Sequence, residues 1–430
     1  MKRASILERL AQLLSRPPGP EERARAAWHL ADWLACAAAG RAEPVGSVLA
    51  MRPRSGASDD AFYWGGLGNV LEMDDVDKRA LLHPGPVICA AALSMGKHKL
   101  IGQAELLDAI VRGYDATIRL GRAVGPQHYR FFHNTGTCGP IGAAVAGSAI
   151  LGHKPERTAH AMALAMSQAS GLWQTRHEPR SMGKQLHTSH AARAGIDSAL
   201  LAEDGFKGPV TILEGEQGFF AATCGSADPN AVLDDNPRWR IHDVSFKPWP
   251  ACRHAHAAID AALAIREGVD PSTVESVVVE TYRDALVFCD RPEPKTVIEA
   301  KFSLQHAVAV ALLNGEPTLD DFSDKAVQDE TLARLREKIL VRQDEELTAT
   351  YPNRFGARVM VDDREVFIAD ALGDPENPIQ RDQLHAKIRM LLETRGTKSE
   401  ALKQQCSRLL RNSEPVDPEK LAVAFEEALR

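Results

Sequence analysis

The order of apolar and polar positions divides the chain into a long helical part, a shorter mixed part and a helical return. Residues 21–39 are Ala-rich and stop at Gly40, the pattern of a helix closed by glycine. Leu106, Leu107, Ile110, Val111, Tyr114 and Ile118 recur at helical spacing and predict an amphipathic helix. Residues 142–149 carry small side chains on nearly every side, so this helix can be buried all round and approached closely by neighbours. It lies in the longest uncharged run, 134–152, whose glycines and weak hydropathy predict a buried helix rather than a membrane span. Pro155 opens a further helix through His160, Leu164 and Gln168 to Gly171, and residues 191–201 continue the pattern.

Beyond Gly268 the pattern changes. The β-branched run 274–279 predicts a strand, and 339–341 a second. Val359 and Val361, then Asp362-Asp363, then Val366 and Ile368, predict a hairpin with an acidic turn. Residues 303–313 form an apolar helix between them. From Gln383 helical periodicity returns through Leu384, Ile388 and Leu391, then Leu402, Cys406 and Leu409, then Leu421, Phe425 and Leu429. The expected fold is mainly α. A large all-helical domain comes from both chain ends, 1–267 with 395–430, and a smaller α+β domain spans 268–394.

Composition narrows the function classes. Lys+Arg is 51 against Asp+Glu 58, a formal net charge of −7. That argues against nucleic acid as a partner, because phosphate binding needs a basic surface. Seven scattered cysteines without a CxxC fit a reducing cytoplasm better than a disulfide framework. The N-terminal segment reads as a short amphipathic helix ended by Pro17, Pro18 and Pro20, since Glu8 and Arg9 interrupt any signal-like apolar run. No membrane anchor is expected. There is no GxxxxGK[ST], strand-linked GxGxxG, GxSxG, HExxH or zinc-type cysteine pair. Gly136, Gly139 and Gly142 are spaced for helix packing instead. The familiar cofactor and hydrolase signatures are therefore missing.

Four segments set unusual polar residues among small or apolar ones. The first runs Glu72-Met73-Asp74-Asp75-Val76-Asp77 and then Leu82-His83-Pro84-Gly85-Pro86. Close carboxylates repel, so one of Asp74 and Asp75 needs a raised pKa or a cationic partner, unless the segment is a solvated acidic turn. His83 falls at a helix N-terminus, where an anion is favoured. The second is Phe132-His133-Asn134-Thr135-Gly136-Thr137-Cys138-Gly139. It is either a helix cap beside a packed histidine or a set of amides, from Thr135 to Thr137, that binds a carboxylate.

The third segment, Arg176 to His187, sets three fixed cations (Arg176, Arg180 and Lys184) against one acid, Glu178. It reads either as a solvated loop or as an ordered, partly desolvated Lys184. The fourth is Lys247-Pro248-Trp249-Pro250-Ala251-Cys252-Arg253-His254-Ala255-His256. Cys252, His254 and His256 could ligate a metal, but no further ligand stands at a diagnostic spacing. A core-facing helix entry or a proton-transferring histidine fits better.

In series, these segments resemble the MmgE/PrpD family over nearly the whole chain. The likeness includes Trp33-Leu34-Ala35-Cys36, the acidic stretch before His83-Pro84-Gly85-Pro86, His133-Asn134-Thr135-Gly136 and Ser167-Gln168-Ala169-Ser170-Gly171. It continues through Met182-Gly183-Lys184-Gln185-Leu186-His187, Lys247 to Cys252, Lys301-Phe302-Ser303-Leu304-Gln305-His306 and Gly373-Asp374-Pro375-Glu376-Asn377-Pro378. The family includes 2-methylcitrate dehydratase, cis-aconitate decarboxylase and iminodisuccinate epimerase. The resemblance implies a homodimer that needs no metal or organic cofactor, with a site in a cleft between a helical and an α+β domain. It implies site positions at Asp74/Asp75, His83, His133, Lys184 and a residue of the Cys252–His256 stretch. Glu72 stands where the family usually has Asp, Val76 where it has Thr, and His306 where decarboxylase-like members have Tyr.

The shared chemistry is proton removal beside a carboxylate, which needs a positioned base and fixed positive charge or N–H donors. His133 is the expected base, and His83 or His254 the acid. Lys184, Arg176, Arg180, Thr135, His187, Cys252, His256 and His306 are the expected contacts to a small di- or tricarboxylate. The expected activity is a cofactor-independent lyase dehydrating a hydroxy-polycarboxylate. Epimerisation of an amino- or imino-dicarboxylate, decarboxylation of a cis-aconitate-like acid and non-catalytic binding of a small acid are the alternatives.

Overall fold

The computed structural model describes residues 4–178, 180–394, 399–411 and 414–430. Residues 1–3 of the N-terminal segment, Pro179 of the basic segment and the expected domain edge at 395 lie outside them. The longer helices are α1 (Pro20–Gly40), α2 (Ala57–Gly68), α3 (Pro84–His98), α4 (Gln103–Ala123), α5 (Asn134–Ile150), α6 (Pro155–Met166) and α7 (Gly183–Glu203). After these come α8 (His256–Ile265), α9 (Leu304–Leu313), α10 (Arg381–Thr394), α11 (Glu400–Arg411) and α12 (Pro418–Ala428). The strands are β1 (Val277–Thr281), β2 (Ile339–Gln343), β3 (Ala357–Val361) and β4 (Arg364–Ile368). The chain is thus mainly α, as the periodicity predicts. Among the described residues, no helix is long and apolar enough to cross a membrane.

The chain folds as two compact units, one from Met1–Val244 with Gln380–Arg430 and one from Ser245–Ile379. In the first, α5 packs against α3, α4, α6 and α7. Small residues permit this. A Cβ on Gly142 would come within 2.5 Å of the Gly113 carbonyl oxygen, so α4 and α5 touch backbone to backbone. The C-terminal helices rejoin the N-terminal ones: α10 and α11 pack on α1, and the Trp28 indole N–H donates to the Leu410 carbonyl at 3.2 Å. Short Ile6–Leu14 is amphipathic, with Leu7, Leu10 and Leu14 buried and Ser5 and Glu8 forming a capping box.

In the second unit the sheet order is β2-β1-β3-β4. β1 runs parallel to β2, with Val277 opposite Ile339, and antiparallel to β3, with Val277 opposite Val361. β3 and β4 form the hairpin, and Asp362 in its turn takes φ +52. Val277, Val279 and Thr281 of β1 are buried, alternating with less buried neighbours. α8 covers β3 and β4 and also packs on α9. The Gly373–Pro378 motif is a turn in this unit. Its Asp374 is buried, ion-paired with Arg253 at 2.5 Å, and accepts from Ser245 Oγ.

Candidate active site

The loop 69–83 joins α2 to α3 and carries the acidic segment. Two of its residues, Glu72 (φ +59) and Leu81 (φ +52), adopt left-handed backbone without being glycine. Such conformations cost about 1–3 kcal/mol each and persist only where the surroundings over-determine them. Here they do. Asn134 at the start of α5 donates to the Ala80 carbonyl at 2.8 Å. Arg122 of α4 pairs with Asp77 at 2.6 Å, and Asp77 accepts from the Ala80 amide at 2.7 Å.

This folding sends two adjacent carboxylates in different directions. Asp75 is tied into the core. It accepts from the Gly85 amide at 2.8 Å and the Tyr114 hydroxyl at 2.7 Å, and lies 2.7 Å from His29 Nδ1. Only glycine fits at 85, since a Cβ there would stand 2.6 Å from the Asp75 carboxylate. Burial pushes the Asp75 carboxyl up to about 6 and drives His29 well below its ordinary value. Asp75 therefore knits α1, α3 and α4 together, and both its oxygens are committed. Asp74 instead meets His83: Oδ2 is 2.9 Å from the ring Nδ1 and also accepts from Asn69 Nδ2 at 2.7 Å. The same Nδ1 is 3.0 Å from the Asp75 carbonyl oxygen. With only acceptors around it, Nδ1 carries the hydrogen, which leaves Nε2 of His83 to exchange a proton. The His83 side chain is 14% exposed and Asp74 1%.

His83 is the N-cap of α3 and His133 the N-cap of α5, with ring centroids 6.4 Å apart. His133 is buried, and its Nδ1 lies 3.2 Å from His187 Nδ1 on α7. Its Nε2 is buried and makes no hydrogen bond within the described residues. Burial holds His133 well below the usual histidine range, helped by His187, Lys184 and His83. Burial likewise lowers His187 to about 4. Both rings are neutral at pH 7.

Trp173 lies over His133, with ring centroids 4.4 Å apart at 34°, and its indole N–H is buried without a partner among the described residues. Lys184, in the first turn of α7, pairs with Glu72 at 2.5 Å. The left-handed turn at Glu72 therefore puts an acid on a half-buried cation of the basic segment. Arg176 stands over the Trp173 ring at 5.8 Å, and Arg180 is exposed.

One expectation about donors changes. The Gly136 and Thr137 amides donate to the His133 carbonyl at 2.8 and 3.1 Å, so they shape the turn and are not left over for a carboxylate. The Thr135 hydroxyl oxygen accepts from the His83 amide at 3.0 Å and keeps its own hydrogen to donate.

Residues 9–232 match the MmgE/PrpD N-terminal domain, and residues 249–411 match the MmgE/PrpD C-terminal domain. The chain belongs to the MmgE/PrpD family. Among its relatives, the cis-aconitate decarboxylase-like protein oryM of Aspergillus oryzae is 26% identical over 385 residues, 81% of this chain and 79% of that one. The human cis-aconitate decarboxylase is 27% identical over 296 residues, 65% of this chain and 60% of the relative. The 2-methylcitrate dehydratase of Salmonella typhimurium is 27% identical over 210 residues, 47% of this chain and 44% of the relative. The matched region thus spans less than two thirds of the human and Salmonella proteins.

The remaining positions of this MmgE/PrpD protein lie in the second unit. His254 is stacked between Phe288 and Phe355, with centroids at 4.9 and 5.2 Å, and its Nδ1 is 2.6 Å from the Tyr282 hydroxyl. Burial lowers it to about 3, so at neutral pH the ring is uncharged. His256 Nε2 turns to the Ala251 carbonyl at 3.1 Å, and the Cys252 amide donates to the Lys301 carbonyl at 2.8 Å. The H-x-H pair thus faces two separate partners, which is the helix-entry reading and not a shared ligand site. His306 is also committed. Arg336 donates to its Nδ1 at 3.0 Å, and its Nε2 is 2.8 Å from the Asp321 carbonyl oxygen. Both ring nitrogens of His306 are thus used within the unit, and burial lowers it to about 4.

Sequence reading did not place His29, Tyr114 or Trp173 at the site. His29 and Tyr114 sit inside ordinary amphipathic helices and show no local signal. Trp173 had one: a large aromatic immediately before the basic segment.

Proposed function

We propose that this MmgE/PrpD protein is a lyase that removes a proton beside a carboxylate of a small hydroxy-polycarboxylate and expels the neighbouring hydroxyl, using side chains alone. The observation that carries the proposal is the pairing of a neutral, buried His133, whose Nε2 is uncommitted, with a His83 whose Nδ1 is pinned by Asp74. In the tautomer with Nδ1–H directed to His187, Nε2 of His133 offers a lone pair and acts as the base. The electron pair left on carbon moves into the carboxylate as an enediolate. His83, carrying a hydrogen on both ring nitrogens with Nδ1–H held by Asp74, then delivers its Nε2 proton to the leaving hydroxyl, which departs as water while the enediolate pair returns to form the C=C bond. Such acid–base catalysis contributes about 10²–10⁴-fold. Lys184 stabilises the developing charge after exchanging Glu72 for the substrate.

A second reading is decarboxylation. One relative, matched over 81% of this chain, is a cis-aconitate decarboxylase-like protein, and carbon dioxide loss likewise leaves an electron pair on carbon, which the neighbouring C=C–carboxylate takes up before a proton is added. The family likeness supports a homodimer, and seven scattered cysteines without a CxxC support a cytoplasmic setting.

The test is incubation of the purified protein in heavy water with 2-methylcitrate, cis-aconitate and related di- and tricarboxylates, followed by NMR. New alkene signals from a hydroxy acid support dehydration. Carbon dioxide release from cis-aconitate supports decarboxylation. Deuterium exchange with loss of optical purity and no alkene would turn the assignment to epimerisation. No change across the panel would overturn it.

A further inference from the structure

Lys387 lies in the middle of α10, far along the chain from the acidic loop. Its side chain is 3% exposed, and Nζ is 2.6 Å from Asp32 Oδ1 on α1. The same ammonium donates to the Met73 carbonyl oxygen at 2.7 Å, across 314 residues of sequence. Met73 is the residue between Glu72, which pairs with Lys184, and Asp74, which pairs with His83. One buried cation therefore grips the peptide that sets the direction of both acids.

That peptide needs holding. Glu72 is in the left-handed region, and relaxing it to an ordinary backbone conformation would redirect its own carboxylate and the residues that follow. The Lys387–Asp32 pair is a poor stabiliser in itself, because taking both charges out of water offsets most of their attraction, and apolar groups of similar volume do as well. Its distinctive product is geometry: an ammonium fixed by Asp32, with a donor left for one particular carbonyl. Burial opposes the charge on Lys387, and Asp32 together with Cys36 and Asp74 more than offsets it, so the amine stays protonated.

We propose that Lys387 is a positioning residue, which holds the Glu72–Met73–Asp74 backbone so that Asp74 meets His83 and Glu72 meets Lys184. The inference rests on the proton-transfer role proposed for His83, but its geometric part needs no substrate.

The test uses the full chain carrying Asp32→Asn together with Lys387→Met, which removes both charges and leaves neither buried alone. The readout is the exchange rate of the His83 Nδ1 proton in protein labelled with ¹⁵N-histidine, the signal being assigned by its loss in His83→Gln. The double variant is expected to melt within a few degrees of the parent, while the His83 proton exchanges about tenfold faster as its bond to Asp74 loosens. On any acid the parent turns over, kcat is expected to fall about 10- to 100-fold with a smaller change in KM. A folded double variant with parental proton exchange would overturn the proposal. Should the double variant not fold, Lys387→Arg keeps the cation but changes its reach. A shifted, faster-exchanging His83 signal there supports the proposal, and an unchanged one overturns it. If no acid is turned over but the His83 signal responds as expected, the functional reading fails and the positioning role stands.

Discussion

The Nδ1 atoms of His133 and His187 lie 3.2 Å apart, and burial keeps both rings neutral. Two neutral imidazoles facing through Nδ1 share one hydrogen, so the tautomer of each ring is set by the other. If His133 is the base, its Nδ1 carries that hydrogen. His187→Leu then removes the acceptor and releases the tautomer. Turnover is expected to fall about 10- to 100-fold with the fold retained, against about 10²–10⁴-fold for His133→Ala. Parental turnover in His187→Leu would show that the pair does not set the base.

Asp74 and Asp75 are expected to separate by what their loss damages. Asp74→Asn leaves the fold nearly unchanged but weakens the anchor of His83, and kcat is expected to drop about 10- to 100-fold. Tyr114→Phe strips a buried donor from Asp75 and is expected to cost about 1–3 kcal/mol of stability, with a smaller effect on rate. Melting temperature and kcat, measured on both variants, check this. The opposite pattern would exchange the two roles.

Lys184 can meet a substrate carboxylate only by giving up Glu72. Lys184→Met is therefore expected to raise KM about tenfold or more, and Glu72→Gln to lower it. Steady-state kinetics with any accepted acid decide this. A raised KM in Glu72→Gln would mean that Glu72 itself holds the substrate.

Acidification is expected to destabilise the protein through its histidines. Burial lowers His128, His187 and His306 to about 4 and His254 to about 3 in the folded chain. The unfolded chain takes up these protons near pH 6.5, so stability falls as pH drops from there towards the folded values. Asp32 and Asp75, raised by burial to about 6, act in the opposite sense. They hold protons in the folded state between about pH 6 and 4, which the unfolded carboxyls release. The lowered histidines outnumber them. Melting temperatures taken from pH 7.5 down to 5 are expected to fall steadily. A rise over that range would mean that the carboxyls dominate.

Much of the fold is legible because it depends on local pattern. The uncharged run 134–152 is the buried helix α5, and Asp362-Asp363 is the turn of the β3–β4 hairpin. Periodicity does not say which surface a helix covers. α8 has the helical character of the residues before it, yet its partners β3 and β4 are some ninety residues further on. The site is legible in part for the same reason. His83 and His133 stand at helix starts marked by Pro84 and by Asn134-Thr135, so their positions follow from sequence. That Asp74 and Asp75 diverge does not, because the left-handed turns at Glu72 and Leu81 are held by Lys387 and Asn134 respectively, from distant helices. The commitment of His254 and His306 to their own unit is likewise set by Tyr282, Phe288, Phe355 and Arg336, none of them near in sequence.

The most direct measurement of the central claim is the fate of the substrate's carbon-bound hydrogen beside the carboxylate. A hydroxy-polycarboxylate deuterated at that carbon is turned over by the parent protein, His83→Gln and His133→Ala, and alkene formation and wash-out of label are followed together by NMR. The account predicts a slowed, isotope-sensitive reaction in the parent. It predicts almost no wash-out in His133→Ala, and wash-out that outlasts alkene formation in His83→Gln, where the proton is removed but the hydroxyl is not expelled. Equal wash-out in His133→Ala and the parent would contradict it.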